Sequence, residues 1–188
     1  MQTDDDADET LMLRYRDSDA DAFARLYARH KGPLYRYLLR QCGQPTIVEE
    51  LFQDIWLKLI AARTGYTVQA RFTTWLYCIA HNRLIDYYRA SSRGLPVSYA
   101  GDCPEWVEVP AALEEQPEQR DNRCRQAERL LELLAELPEA QREAVLLKEE
   151  GGLSLEEIAQ ATGTGRETVK SRLRYALARL RRGLGDAP

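Results

Sequence analysis

The chain has 188 residues, of which 44% are hydrophobic and 30% are charged, a composition typical of a soluble protein with a buried core. It contains no run of 18 apolar residues, which argues against membrane insertion, and its acidic beginning, MQTDDDADET, lacks the apolar stretch of a secretory signal. Because 30 acidic residues outnumber 26 basic ones, a surface for nucleic acid would require a local concentration of cations.

Few residues suit metal binding or nucleophilic catalysis. The only histidines are His30 and His81. The cysteines are spaced neither as a zinc site nor as a convincing disulfide framework, so we expect reduced thiols in a cytoplasmic protein. They are Cys42, Cys78, Cys103 and Cys124. The sequence therefore predicts no metal, no cofactor and no catalytic residue.

The first predicted helix covers residues 20–41, where apolar residues recur at helical spacing. A break is expected at Gly32-Pro33, because proline lacks a backbone N–H and clashes with the preceding turn. Residues 1–19 come before this helix and are predicted to be an acidic N-terminal tail.

The second predicted helix covers residues 46–62 and begins at a capping box of Thr46 and Glu49. Opposite its apolar stripe lie charged side chains together with Leu57. A face that mixes charges with large apolar residues is typical of a docking surface. A solvated helix face with a partly buried Trp56 explains the pattern equally well.

The third predicted helix covers residues 72–90 and follows an aromatic-rich stretch, GYTVQARFTTWLY. Aromatic side chains that alternate with polar and cationic ones are typical of proteins that stack unpaired bases. Core packing is an alternative for Phe72, and for Trp75 it is the preferred interpretation.

Residues 94–122 separate two helical halves. They contain seven acidic residues, a single basic residue (Arg120) and four prolines, without a helical period. This composition predicts an acidic flexible linker. A segment with its own docking site is the alternative.

Beyond the linker, helices are predicted over residues 123–136 and 138–150, the latter ending at Gly151-Gly152. No segment alternates with period two between turn signals, so strands are not expected. The predicted fold class is all-α, with two small helical domains joined by the linker.

The last part of the chain has the pattern of a helix-turn-helix. Ser154 and Glu157 form one capping box, Gly163 is placed to end that helix in a left-handed conformation, and Thr164 and Glu167 form a second box. Two helices joined by so short a turn, with glycine in it, match motifs whose second helix enters the DNA major groove.

Cations are concentrated on that second helix, since residues 164–182 contain seven basic residues and one acidic residue. Lys170 and Arg174 border its apolar stripe on one side, Arg172 and Arg179 on the other. Hydrogen-bonding residues flanked by cations suit phosphate contact and base-edge reading. A solvated basic helix on a small bundle is the alternative.

Together these segments resemble a known family. EELFQDIWLKL, FTTWLYCIAHNRLIDYYR, LPEAQREAVLL and GLSLEEIAQATGTGRETVKSRLRYALARLR occur in the order and at the separation found in group-four (extracytoplasmic function, ECF) sigma factors of bacterial RNA polymerase. The resemblance covers roughly residues 20–93 and 125–183. It departs from the family pattern at Gly165, where many relatives have a residue that favours helix, and before residue 18.

The resemblance implies a non-enzymatic, cytoplasmic initiation factor whose partners are core RNA polymerase and promoter DNA. Residues 20–93 would form a region 2-like domain that binds polymerase and opens the -10 element. Residues 123–188 would form a region 4-like domain that reads the -35 element. The linker would run through the polymerase toward the RNA exit channel. An anti-sigma factor is a further expected partner, and the free protein is expected to be monomeric.

The family's functional positions map onto this sequence as three sets. Polymerase binding maps onto Glu50, Leu51, Gln53, Asp54 and Trp56. The -10 element maps onto a loop at about residues 64–73 and the following helix, with Tyr66, Gln69, Arg71, Phe72, Tyr77, Asn82, Arg83 and Arg89. The -35 element maps onto Arg166, Glu167, Thr168, Lys170, Ser171, Arg172 and Arg174.

Within the -10 set, Tyr66 and Phe72 are the candidates for base stacking and Gln69 for reading a base edge. The arginines, Arg71, Arg83 and Arg89, are the candidates for the backbone.

Other classes remain as alternatives. One is a helix-turn-helix regulator that acts without polymerase and uses its front half for dimerisation or ligand binding. An enzyme would need a polar constellation in a cleft, and the sequence offers none. A protein-only interaction module with incidental basic charge is a third alternative.

Overall fold

The computed structural model describes residues 6–91 and 117–185, which form eight α-helices and contain no β-strand, so the predicted all-α fold is confirmed. A 3-10 turn, Arg63–Gly65, follows the third helix. The helices are α1 (Asp8–Arg16), α2 (Ala20–Cys42), α3 (Pro45–Ala62), α4 (Phe72–Ser91), α5 (Pro117–Ala135), α6 (Glu139–Glu149), α7 (Leu155–Thr162) and α8 (Arg166–Gly185).

The prediction that residues 1–19 form an N-terminal tail is wrong for the second half of that segment. Residues 8–16 form α1, which buries Leu11, Met12 and Tyr15 in the core. The apolar residues of α1 are few and its flanks are acidic, so its composition resembles that of a solvated segment. Packing on α2 supplies the stabilisation that a nine-residue helix lacks by itself.

The predicted break at Gly32-Pro33 is also wrong, because α2 runs through both residues. An interior proline costs about 3 kcal/mol in a helix. Leu34, Tyr35 and Tyr37 directly follow it and are almost completely buried. Each buried side chain of this size contributes roughly 1.5–3 kcal/mol, so tertiary packing outweighs the local penalty.

Two helix starts differ from the predicted capping boxes. Gln44 is the N-cap of α3 and Pro45 occupies its first turn, so the Thr46–Glu49 box does not form. At α8 the backbone N–H of Val169 donates to the carbonyl of Gly165, at 3.1 Å. The helix therefore begins at Arg166, one residue later than it would with Thr164 as its N-cap.

The linker is predicted over residues 94–122. Its residues 94–116 lie outside the described residues. From Pro117 onward the backbone is helical, so α5 begins six residues before the predicted start at residue 123. Proline is favoured in the first turn of a helix, where its missing N–H has no partner to lose.

The larger of two hydrophobic clusters extends through both halves of the chain. It combines the apolar faces of α1–α4 with residues from the rear half, namely Leu146, Leu147, Leu153, Ile158, Ala161 and Val169. A second, smaller cluster joins α5, α6 and α8. The two helical units are consequently packed against one another.

Gly151 lies where the two halves approach each other closely, so its neighbours leave no room for a side chain. A Cβ atom there would lie 2.7 Å from the carbonyl oxygen of Leu147 and 3.0 Å from the ring of Tyr77 on α4. Any larger residue would push the turn between α6 and α7 away from the front half. Glycine is therefore required here for close approach.

Candidate nucleic-acid and polymerase interfaces

The turn between α7 and α8 is built by local interactions that the sequence predicts. Ser154 Oγ accepts from the N–H of Glu157 at 3.3 Å, and Glu157 Oε2 accepts from the N–H of Ser154 at 2.8 Å. Gly163 ends α7 with φ of 63°. Ile158, Ala161 and Val169 are buried between the two helices and fix their relative position. The capping box and the left-handed glycine are both confirmed.

The start of α8 presents polar and charged side chains to solvent. Of the seven positions predicted for the -35 element, five are exposed: Arg166, Glu167, Thr168, Lys170 and Arg174. Ser171 and Arg172 are half-buried. Val169, Ala176 and Leu180 on the opposite side are buried, so the exposed row faces away from the protein.

The cations of this row are held only by surface interactions. Arg166 pairs with Glu156 and Glu167, and Lys170 Nζ lies 3.7 Å from Glu167 Oε2. The guanidinium of Arg174 lies over the Tyr175 ring, 4.9 Å from its centroid. Exposed ion pairs contribute roughly 0–1 kcal/mol, so phosphates can readily replace these carboxylates.

The predicted polymerase-binding positions of α3 divide into two groups. Glu50 and Gln53 are exposed and Asp54 is partly exposed. Leu51 and Trp56 are buried, with 1% and 5% of their surfaces accessible, so neither can contact a partner directly. The structure contradicts a contact role for these two residues.

The burial of Trp56 has a tertiary cause. Its indole packs between Phe23 and Tyr27 of α2, with ring centroids 5.8 and 4.9 Å away. Leu57, by contrast, is 62% exposed next to this face. An exposed leucine beside acidic side chains is the apolar element that a docking surface needs.

Arg83 belongs to the α3 face rather than to the -10 set with which it was grouped. Its guanidinium donates to Asp54 Oδ2 at 2.7 and 2.8 Å, and it lies 3.7 Å from Glu50. The Arg83 side chain is largely buried, while Glu50 remains exposed. Arg83 therefore orients two acidic residues of the α3 surface.

The aromatic residues assigned to base stacking are buried. Phe72 and Tyr77 are 0% and 1% accessible and Tyr66 is 5% accessible. Burial raises the pKa of Tyr66 to about 12. Because a buried ring cannot stack on a base without repacking, the structure contradicts this role for Tyr66 and Phe72. Tyr77 is buried in the compact arrangement, where its ring faces Gly151 of the rear half.

Other members of the -10 set are accessible. Gln69 and Arg71 are exposed in the loop, and Asn82 and Arg89 are exposed on α4. Val68, which the sequence analysis did not select, is 53% exposed at the tip of the loop.

A cleft of about 570 Å³ lies behind this loop. It is lined by residues 64–67 and 69–70, by Trp75 and Cys78 of α4, and by Gln160 of α7. Trp75 is half-buried and packs against Tyr66, with ring centroids 4.9 Å apart. Trp75 is thus a partly accessible aromatic ring at the site where Tyr66 and Phe72 were expected.

Polar contacts join the helix-turn-helix to the loop. Glu157 of α7 accepts from Thr74 Oγ1 at 3.1 Å and lies 3.5 Å from the guanidinium of Arg71. Burial raises the pKa of Glu157, but hydrogen bonds from Ser154 and Thr74 outweigh it and lower the pKa overall. Arg71 therefore connects the loop to the rear half through its ion pair with Glu157.

A second group of polar contacts is made by Glu143 of α6 and by Glu150, which directly follows that helix. Glu143 bonds to His81 and Tyr37, and Glu150 bonds to Arg36 and Arg40. Both carboxylates belong to the rear half and all four of their partners belong to α2 or α4 of the front half. With the shared core, they hold the two halves in one compact arrangement.

Within the described residues, no group of His, Cys, Asp and Glu is placed to hold a metal ion. No helix in the described ranges is both long and apolar enough to cross a membrane.

Comparisons with known proteins place both halves in one family. Sigma-70 region 2 matches residues 26–94, and Sigma-70, region 4, matches residues 127–180. The RNA polymerase sigma factor CarQ of Myxococcus xanthus is 33% identical over 175 residues, which cover 93% of this chain and 96% of CarQ. The ECF RNA polymerase sigma factor BldN of Streptomyces coelicolor is 30% identical over 177 residues, or 94% of this chain and 65% of BldN.

Solved structures agree with the fold. CnrH, solved in complex with the cytosolic domain of CnrY, superposes with a TM-score of 0.67 at 23% identity, over 97% of this chain and all of that chain. The sigma factor RpoE in complex with the anti-sigma factor NepR from Bartonella quintana gives 0.65 at 23% identity, over 88% of this chain and 98% of that one. The chain therefore belongs to the ECF sigma factors, which bind core RNA polymerase and direct it to promoters.

Proposed function

We propose that the two halves of this sigma factor divide promoter recognition between them. Residues 20–93 act as the region 2 domain, which binds core polymerase and opens the -10 element. Residues 123–188 act as the region 4 domain, which reads the -35 element. The observation that carries the proposal is the outward-facing row at the start of α8, where cations and hydrogen-bonding groups stay exposed while Val169, Ala176 and Leu180 are buried.

In the region 4 domain, base reading and phosphate binding are assigned to different side chains. Lys170 and Arg174 project from the exposed row and are proposed to contact base edges, together with Arg166, Glu167, Thr168 and Ser171. Arg172 and Arg179 flank the row and are proposed to contact phosphates, which adds affinity for any sequence.

In the region 2 domain, the proposed -10 surface is the exposed part of the loop and of α4. Gln69 is assigned to a base edge, and Arg71 and Arg89 to the backbone, with Asn82 beside them. Trp75 takes the stacking role, because its ring lines the cleft and is half-exposed. Extruding a base costs a few kcal/mol, and stacking on an aromatic ring returns about 1–3 kcal/mol.

The polymerase-binding surface is proposed to consist of Glu50, Gln53, Asp54 and Leu57. Arg83 holds two of its carboxylates in place. The surface combines an exposed apolar residue with a fixed acidic rim, as protein interfaces do.

The compact arrangement must open for this function. The centres of the -35 and -10 elements are about 25 base pairs apart, or about 85 Å at 3.4 Å per pair. A compact chain of this length has a radius of gyration of only about 16 Å. The region 2 and region 4 domains therefore separate when both elements are bound.

The proposal extends to the protein's location, oligomeric state and partners. It acts in the cytoplasm as a non-enzymatic factor that is monomeric when free. An anti-sigma factor is proposed as a partner, supported by the complex of RpoE with NepR.

The proposal is tested with holoenzyme reconstituted from core polymerase and two panels of promoters, one with substitutions in the -35 element and one in the -10 element. Lys170→Ala should change preference only among -35 variants, and Gln69→Ala only among -10 variants. Arg179→Ala serves as the matched control and should lower activity evenly on both panels. An even loss with all three variants would contradict the division of roles.

A further inference from the structure

Helix α1 contacts both ends of the loop that precedes α4. At the first end, the Arg16 guanidinium donates to the carbonyl oxygen of Tyr66 at 3.3 Å. At the second end, Glu9 Oε1 accepts from the backbone N–H of Phe72 at 2.6 Å, across 63 residues of sequence. Arg16 and Glu9 lie two helical turns apart on α1 and so span the loop.

The Glu9 contact works as a helix cap supplied from a distant segment. Phe72 is the first residue of α4, and the first N–H groups of a helix have no partner within the helix. A carboxylate at this position satisfies one of them and interacts favourably with the positive end of the helix dipole. Glu9 thereby fixes where the loop ends and α4 begins.

The loop between the two contacts has little structure of its own. Residues 67–69 are exposed, and the side-chain bond described within them is from Gln69 to Thr67, at 3.3 Å. The orientation of this exposed segment therefore depends on how its ends are held. Both ends are held by α1.

Helix α1 is itself held firmly. Leu11 and Met12 are fully buried, and Asp8 bonds to His30 at 2.7 Å and to Arg29 at 2.8 Å. Burial raises the pKa of Asp8, but the bonds from His30 and Arg29 outweigh it and lower the pKa overall. The His30 ring in turn packs on Phe72, with centroids 5.1 Å apart.

From this geometry we propose that α1 is part of the promoter-opening apparatus and that Glu9 and Arg16 are positioning residues for recognition of the -10 element. The inference rests on the proposed role of the loop in reading that element. Neither side chain needs to touch DNA. They act by presenting residues 67–71 in one orientation to the unpaired strand.

The test uses full-length protein with core polymerase, a duplex promoter carrying 2-aminopurine in the -10 element, and a template already mismatched there. Glu9→Ala should reduce open-complex formation on the duplex roughly tenfold, a change that corresponds to about 1.4 kcal/mol. It should also blunt discrimination among -10 bases. Arg16→Ala, at a partly exposed side chain, should act in the same direction.

Two further variants separate positioning from general stability. Glu9→Gln keeps an oxygen acceptor for the Phe72 N–H and should restore most of the base discrimination. Thr10→Ala, at an exposed neighbour on α1, should behave like the unaltered protein. The mismatched template should rescue opening by Glu9→Ala but not its altered base preference.

A variant in which residues 67–70 are replaced by glycine and serine is tested in the same assays of opening and base preference. If that replacement impairs opening and base preference while folded Glu9→Ala and Arg16→Ala leave both unchanged, α1 has only a structural role and the inference is overturned, but the loop's function stands. If the loop replacement itself has no effect, the proposed function of the loop fails, and the inference with it.

Discussion

His81 of α4 and Glu143 of α6 lie in hydrogen-bonding contact, with 2.6 Å between Nδ1 and Oε1, although 62 residues separate them in the sequence. The same carboxylate oxygen accepts from the Tyr37 hydroxyl at 3.1 Å. One side chain of the region 4 domain thus joins two helices of the region 2 domain. These contacts hold together two units that, in the proposed function, separate on a promoter.

Removal of the Glu143 and Glu150 carboxylates should open the compact arrangement. In the double variant Glu143→Ala, Glu150→Ala the bonds to His81, Tyr37 and two arginines are lost, and each charged bond contributes about 1.5–3 kcal/mol. X-ray scattering should show a larger radius of gyration than for the unaltered protein. Cys78, which lines the cleft beside α7, should react faster with iodoacetamide, as read by peptide mapping.

Glu149→Ala is the matched control, because Glu149 is exposed on the same helix. It should leave both the scattering and the labelling rate unchanged. An unaltered radius in the folded double variant would show that the apolar core alone holds the halves together.

Acid should remove the contribution of Glu157 to stability. Its pKa is lowered from the ordinary value of 4.5 because bonds from Ser154 and Thr74 outweigh burial. A lowered pKa means that the folded state favours the carboxylate, so the contribution is present above about pH 4.5 and is lost as pH falls through the lowered value.

The variant Glu157→Gln should therefore have a lower Tm than the unaltered protein at pH 7, and the difference should shrink as the pH falls below 4.5. Circular dichroism melts provide the measurement, with Glu149→Gln as the control. A difference in Tm that stays constant over this range would assign the effect to packing rather than to the charge.

Reversal of the acidic α3 surface should abolish binding to core polymerase. Asp54→Arg places a cation on the docking surface, where like-charge contacts can cost several kcal/mol, but it also breaks the pair with Arg83. The swap Asp54→Arg, Arg83→Asp restores an intramolecular pair while keeping the surface reversed. Both variants should fail in a pull-down with core polymerase, and the swap should melt closer to the unaltered protein.

Recovery of polymerase binding by the swap would mean that the Asp54–Arg83 pair matters only for the fold. Leu57→Ala gives independent evidence, since a leucine that is 62% exposed contributes little to the core. It should weaken polymerase binding without lowering Tm.

The cations of α8 should differ in their dependence on salt. Arg179→Ala should weaken binding of holoenzyme to every promoter and reduce the slope of log K against log salt by about one. Lys170→Ala should cost roughly 1–3 kcal/mol on the preferred -35 sequence and much less on others. Binding titrations between low and high salt test both statements, and identical behaviour of the two variants would contradict them.

The sequence predicts several elements whose determinants are local, although the boxes proposed at Thr46 and Thr164 do not form. The Ser154–Glu157 capping box and the left-handed Gly163 depend on neighbours within a few residues, and both form as expected. The exposed row of α8 follows in the same way from the helical period.

The features that the sequence did not reveal depend on distant neighbours. Trp56 lies at the border of its helix face, and the rings of Phe23 and Tyr27 on α2 cover it. The cap that Glu9 provides to Phe72 has no local signature, since 63 residues separate them. The interior Pro33 likewise depends on packing of the residues that follow it.

Promoter-specific run-off transcription tests the central claim most directly. Purified protein is added to core polymerase with a promoter selected by the holoenzyme, and binding of the protein alone to the same duplex is measured beside it. The account predicts run-off from that promoter only when protein and core are both present, with weak binding by the free protein. Tight duplex binding without polymerase, together with no gain in run-off, would contradict it and indicate a regulator that acts without polymerase.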